Sequence, residues 1–286
     1  IFFKVKSSLV LFAIFSGIAS LLGNCVVIFK LYKDLNIVFP SGIVAIYNKD
    51  YTHSIINVGV QFFVLQLAGL ILYSTDNVII NKLFDSESVS KYSVINSIYN
   101  AGTMLFSLVL ISLWSAVTYV SEKNNYKWIK KEINNLLIVW LLFTLGVIIV
   151  SFLFNLIIQI WLGANAFLYE SSLIAVFALY TIMNAFGAIY VNVANGLGII
   201  KVQMICAIIG ALMNIPLSIL LADTCNMGLT GIRLATVICC FGAMFVVPIQ
   251  IYNYINIYFN EIFAKSLPQK VKDSLFLQKN TYDEFT

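Results

Sequence analysis

Long apolar runs decide most of what this chain can become. A helix needs roughly 20 apolar residues to cross about 30 Å of hydrocarbon. Seven stretches meet that length: Leu9–Leu31, Asn57–Ile80, Val94–Val120, Leu136–Leu162, Leu173–Gly198, Val202–Ala222 and Gly231–Tyr254. The fifth and sixth form one block too long for a single crossing, and Gly196, Gly198 and Lys201 mark the turn that divides it. Composition agrees, at 60% hydrophobic and 10% charged residues, where a soluble domain carries about 25% charged. A membrane β-barrel would instead show alternating segments of roughly ten residues. The expected fold is all-α: a polytopic helical membrane protein with about seven transmembrane helices.

The lysines set an orientation. Lys30, Lys33, Lys49, Lys123, Lys127, Lys130, Lys131, Lys201, Lys265, Lys270, Lys272 and Lys279 fall on one side of the expected topology. Lys4, Lys6, Lys82, Lys91 and Arg233 fall on the other. The positive-inside rule makes the first side cytoplasmic, with the C-terminus inside and Ile1 outside. A span follows Ile1 almost at once, so an N-terminal part is expected ahead of it. In Asn125–Leu137, Tyr126, Ile129, Ile133 and Leu136 share a face while Lys127, Lys130 and Lys131 fall on others, so an amphipathic helix lying at the cytoplasmic headgroups is expected. The residues after Asn260, including Pro268, read as a short cytoplasmic tail. The net charge of +4 suits an anionic membrane face better than nucleic acid.

Little in the chain supports covalent chemistry. The five cysteines, Cys25, Cys206, Cys225, Cys239 and Cys240, form no C-x-x-C pair and no Cys/His cluster, so neither a metal nor any other cofactor is expected. His53, the one histidine, falls in the loop expected before the second span. With no Ser-His-Asp set, no paired carboxylates and no Gly-rich phosphate loop, an enzyme is not indicated.

The informative residues are the polar ones inside the spans. Gln66, Gly69, Tyr73 and Asp76 step by three, four and three along the second span, with Asn77 beside them. Asn96, Asn100, Thr103 and Ser107 step by four, three and four in the third, and Thr144, Ser151, Asn155 and Gln159 share a face in the fourth. Thr181, Asn184, Ala188, Asn192 and Asn195 make the stripe of the fifth, and Gly210, Asn214 and Ser218 that of the sixth, where Pro216 should kink the helix. Such spacing puts each set on one helical face. Amides turned to lipid would leave hydrogen bonds unmade, so the stripes should turn inward. They then either bond helix to helix or enclose a wet cavity; five stripes together favour the cavity. Asp76, the acidic residue within a span, costs roughly 2.5–3.5 kcal/mol at mid-bilayer when ionised. It serves either to bond a neighbouring helix end or to couple proton or substrate. Arg233, the one arginine, opens the last span and could pair with Asp223 or Asp76 or face the cavity mouth.

Three stretches carry a resemblance. The run FFVLQLAGLILYSTDNVIINKLF, then SVSKYSVINSIYN, then LWSAVTYVSEKNNYKWIKKEI resembles the bacterial flippases of O-antigen and capsule oligosaccharides. The elements are Ser74–Asn77, Val89–Tyr92 and the pattern from Leu113 to Lys131. These flippases form the polysaccharide-transporter branch of the multidrug/oligosaccharidyl-lipid/polysaccharide exporter superfamily. The resemblance implies a two-lobe transporter of about twelve spans, of which this chain supplies one six-helix lobe and one preceding helix. Residues 1–52 would be the last helix of the first lobe and a linker, 53–256 the second lobe, and 257–286 the tail. It implies that a polyprenyl-diphosphate-linked oligosaccharide is moved from the cytoplasmic to the outer leaflet of the inner membrane. Membrane lipids, and a polysaccharide polymerase with its chain-length machinery, would be partners. The substrate cavity would be lined by Gln66, Tyr73, Asp76, Asn77, Asn96, Asn100, Thr103, Asn155, Asn184, Asn192, Asn195, Asn214 and Arg233. The lobe departs from expectation in offering a diphosphate no cation at mid-depth. A drug or small-molecule extruder of the same superfamily is the alternative, and a membrane glycosyltransferase or polymerase a more distant one.

Overall fold

The computed structural model describes residues 9–34, 49–163 and 167–266, which group into two compact units, Ile1–Asn57 and Val58–Thr286. Among the described residues seven helical stretches are long and apolar enough to cross a membrane, and the chain is an all-helical membrane protein. The first unit holds α1 (Leu9–Asp34) and the start of α2 (Lys49–Leu83). His53 belongs to that start and not to a loop, and it is exposed. The tail beyond residue 266, with Pro268, lies outside the described residues.

The second unit is organised around α7 (Ser171–Leu197), half of whose apolar window is buried. It packs against α3 (Ser86–Leu110), α4 (Leu113–Glu122), α5 (Tyr126–Phe152) and α9 (Gly228–Ser266), and α8 (Lys201–Ile219) packs on α9. Lipid offers no hydrophobic drive for this association, so close packing carries it. Gly196 shows how tight the fit is: a Cβ there would stand 2.7 Å from Val117 Cβ and 2.9 Å from the Trp114 carbonyl. α7 ends on Gly198, whose φ of 71° lets its N–H bond back to the Asn195 carbonyl, the left-handed stop that glycine adopts at least cost.

Two expectations about the spans change. First, Tyr126, Ile129, Ile133 and Leu136 do not lie on headgroups. They are buried against residues of α4, α7 and α9 such as Val117, Ile189 and Ile251. Protein covers the apolar face, and the helix runs on to Phe152. Second, the fourth span breaks at Leu153, after which α6 (Phe154–Leu162) begins. Pro216 lies within α8, which passes into a π-helical stretch, Leu220–Thr224, one turn later.

Candidate functional site

Three cavities lie along α7. The first, about 390 Å³, is lined by Asp76 and Asn77 of α2, Tyr92, Asn96 and Asn100 of α3, Tyr180 and Asn184 of α7, and Arg233 of α9. The second, about 470 Å³, has Gln66, Asn184, Asn195 and Gln203 set among apolar side chains such as Phe62, Leu72, Trp114 and Met244. The third, about 320 Å³, is lined by Thr103, Ser107 and Asn192 with Phe106 and Trp114. Asn184 borders the first two, and Ala188 and Trp114 border the second and third. Helical rise explains the order: Gln66 and Asp76, ten residues apart on α2, are separated by about 15 Å along the axis.

The first cavity holds the charge. Asp76 is 3% exposed, and the Tyr92 hydroxyl donates to its Oδ2 at 2.5 Å. Its Oδ1 has no hydrogen-bond partner among the described residues. Arg233 is 4% exposed, with its guanidinium carbon 3.8 Å from the Tyr180 ring centroid and 4.4 Å from that of Phe177. These are stacking contacts a guanidinium makes well when desolvated. Its Nε is buried and has no hydrogen-bond partner among the described residues. Asp76 and Arg233 thus face one cavity from α2 and α9, with no direct ion pair between them among the described residues. Each charge is held by aromatic residues, and each keeps a polar atom for something else.

The other cavity residues offer neutral hydrogen bonding. Asn192 Nδ2 donates to the Ala188 carbonyl at 2.8 Å, which leaves its oxygen as an acceptor. Asn195 Oδ1 and Gln203 Oε1 are buried at the second cavity without hydrogen-bond partners among the described residues. Among the described residues, no group of three or more His, Cys, Asp or Glu side chains could hold a metal.

Two residues from the expected set are used elsewhere. Asn155 donates from Nδ2 to the Tyr169 carbonyl at 3.1 Å and accepts the Tyr169 N–H on Oδ1 at 2.9 Å. It clamps the segment before α7 as a neighbouring strand would, so its amide is taken up by backbone. Asn214 is fully buried. Its Nδ2 donates to Thr236 Oγ1 at 3.1 Å, and its Oδ1 accepts from Thr75 at 3.4 Å, so it ties α8 to α9 and α2. The Tyr73 side chain lies outside the described residues.

The sequence reading missed Tyr92, Phe177, Tyr180, Trp114 and Gln203. Tyr92 was within reach, since it extends the stripe of Asn96 and Asn100 by one more step of four. Phe177 and Tyr180 gave no signal, because stacking on Arg233 depends on which helix faces α9.

Compared with known proteins, residues 62–220 match the family model MatE. No curated protein and no solved structure matches the chain. The match spans more than half of the 286 residues, and the chain belongs to the MatE family, within the superfamily of membrane exporters that move drugs, lipid-linked oligosaccharides and polysaccharides.

Proposed function

We propose that this MatE-family exporter flips a polyprenyl-diphosphate-linked oligosaccharide from the cytoplasmic to the outer leaflet of a bacterial inner membrane, its lysine-bearing face and C-terminus inside. The observation that carries the reading is the series of three cavities along α7, each carrying at least one amide side chain and joined through Asn184, Ala188 and Trp114. Sugar hydroxyls cannot enter hydrocarbon unpaired. Asn and Gln side chains donate and accept, so they exchange hydrogen bonds with hydroxyls at successive positions. The lipid tail stays in the bilayer while the headgroup passes, and rocking of two lobes opens the path to each face in turn. Arg233 alters the earlier difficulty about cations. Its buried guanidinium, with Nε free, suits a diphosphate or an acidic sugar at the first cavity. Asp76 opposite, bonded to Tyr92, limits how much anion that cavity attracts.

Reconstituted vesicles test the reading. Lipid-linked oligosaccharide should change leaflet in the presence of the full-length protein, and Arg233→Gln should slow it while leaving the fold intact. Asp76→Asn should impair transport more than insertion; normal complementation of a flippase-null strain by that variant rejects a coupling role. The second cavity favours a competing reading, a drug extruder, because apolar and aromatic side chains make up most of its wall. Efflux of cationic dye without oligosaccharide flipping would decide for it.

A further inference from the structure

A fourth cavity opens beside α4. It is a groove of about 610 Å³ lined by Ile111, Trp114, Ser115, Thr118, Tyr119 and Glu122. α4 buries Leu113 and Val117 on its other face. The exposed strip is unlike a lipid-facing one. On α5 that strip reads Leu141, Leu142, Leu145, Ile149 and Phe152, whereas α4 presents a tryptophan, two hydroxyls, a phenol and a carboxylate. The Ser115 and Thr118 hydroxyls donate to backbone carbonyls, and Glu122 is the last residue of α4; a carboxylate is costly against hydrocarbon, so this end of the groove belongs at headgroup level, within reach of water.

The rings in it are held in place. Trp114 stacks on Phe62 with centroids 5.4 Å apart and planes 22° from parallel, and 41% of it stays exposed. Tyr119 is 59% exposed; its hydroxyl accepts from Lys123, whose ammonium also sits 4.1 Å over the ring. Thr118 donates to the Gly196 carbonyl at 3.0 Å, which fixes α4 against the end of α7 and leaves the hydroxyl oxygen able to accept. Glu122 makes no hydrogen bond or ion pair among the described residues. Trp114 also borders the second and third cavities, so the groove continues the interior series at the end of the bundle opposite Arg233.

We propose that this groove is a loading subsite for the sugar rings of the lipid-linked oligosaccharide, with Trp114 as the stacking platform and Glu122 as the acceptor for sugar hydroxyls. The proposal rests on the flippase reading above. A pyranose ring presents C–H bonds on its flat faces and hydroxyls round its edge. A rigid aromatic face flanked by a carboxylate and hydroxyls matches both, and the groove is of ligand size. A drug cation would also be attracted by the Trp114 face and Glu122; the hydroxyls of Ser115, Thr118 and Tyr119 are what favour a sugar.

The test uses full-length protein in vesicles, with lipid-linked oligosaccharides extracted from the organism that encodes it. Trp114→Ala should raise the KM for flipping about five- to tenfold with kcat little changed, the size expected for one aromatic contact. Trp114→Phe should recover most of the loss, and Glu122→Gln should raise KM alone. Thermal stability of each variant separates loading from folding, since a purely structural Trp114 would lower stability and kcat together. Wild-type flipping with unchanged KM in both Trp114→Ala and Glu122→Gln overturns the subsite and leaves the flippase reading standing. A wild type that moves dye and no oligosaccharide overturns both.

Discussion

Replacing Gly196 by alanine tests how α4 is seated on α7, and the cost can be worked from distances. The new Cβ would lie 2.7 Å from Val117 Cβ, 2.8 Å from Val117 Cγ1 and 2.9 Å from the Trp114 carbonyl oxygen. Carbon atoms pack best at about 3.5–4.0 Å, so α4 has to retreat by about 1 Å. Two of the three obstacles are backbone or Cβ atoms, which no rotamer change removes. Overpacking of this kind costs about 1–3 kcal/mol. The Thr118 hydroxyl bond to the Gly196 carbonyl, now 3.0 Å, stretches beyond hydrogen-bond range with the same movement. Such bonds in membrane proteins contribute about 0.6 kcal/mol on average. Alanine in a helix returns up to about 1 kcal/mol of conformational entropy. The net loss expected is about 1–2.5 kcal/mol, with Trp114 displaced alongside.

Gly146→Ala is the matched control. Gly146 also lies inside a helix, α5, and nothing stands within 4 Å of the position its Cβ would take. The same chemical change there keeps the entropic gain without the clash, so stability should hold or rise. Unfolding of the detergent-solubilised protein, followed by heat or denaturant, measures both. If Gly196→Ala proves as stable as Gly146→Ala, α4 and α7 are not in the contact described, and the seating of the α4 groove falls with it.

Three further outcomes follow from named contacts. Tyr92→Phe removes the donor to Asp76 Oδ2, and since Oδ1 is already unpartnered, stability should fall by about 1–3 kcal/mol; combining it with Asp76→Leu should cost much less than the two changes summed, and strict additivity in unfolding measurements would refute the coupling. Asn155→Ala breaks both bonds to the Tyr169 backbone, so amide exchange at Tyr169 should speed up while the centres of α5 and α7 keep their protection. Asp85 caps α3 by accepting the Ser88 N–H at 2.7 Å, which holds its carboxyl below the usual carboxylate value. A depressed value stabilises above the unfolded-state pKa and is lost as pH falls through the folded one, so Ser88 exchange protection should be full at neutral pH and vanish in acid, and Asp85→Asn should flatten that dependence.

What the sequence made legible, and what it hid, share one physical cause. Periodicity assigns a polar residue to a face of its own helix; it does not say what stands opposite. The spans were readable because hydrocarbon thickness imposes a length on any chain that crosses it, whatever its neighbours. The breaks at Ile111–Ser112 and at Leu153 carry no proline or glycine, so nothing local announced them, and the Tyr169 backbone that takes up the Asn155 amide gave no signal in the stripe. Asn214 and Asn184 are the same residue type on equally regular stripes, yet their fates differ through the opposing helix. Thr236 meets Asn214 with a matching hydroxyl, and the pair closes into a buried bond. Asn184 borders both the first and second cavities, so its amide faces open space. An amide in a span therefore becomes part of a path only where the opposing helix leaves it without a complementary group. That condition links helices distant in sequence, and it is why Arg233 was visible as the one arginine while the rings of Phe177 and Tyr180 that hold it were not.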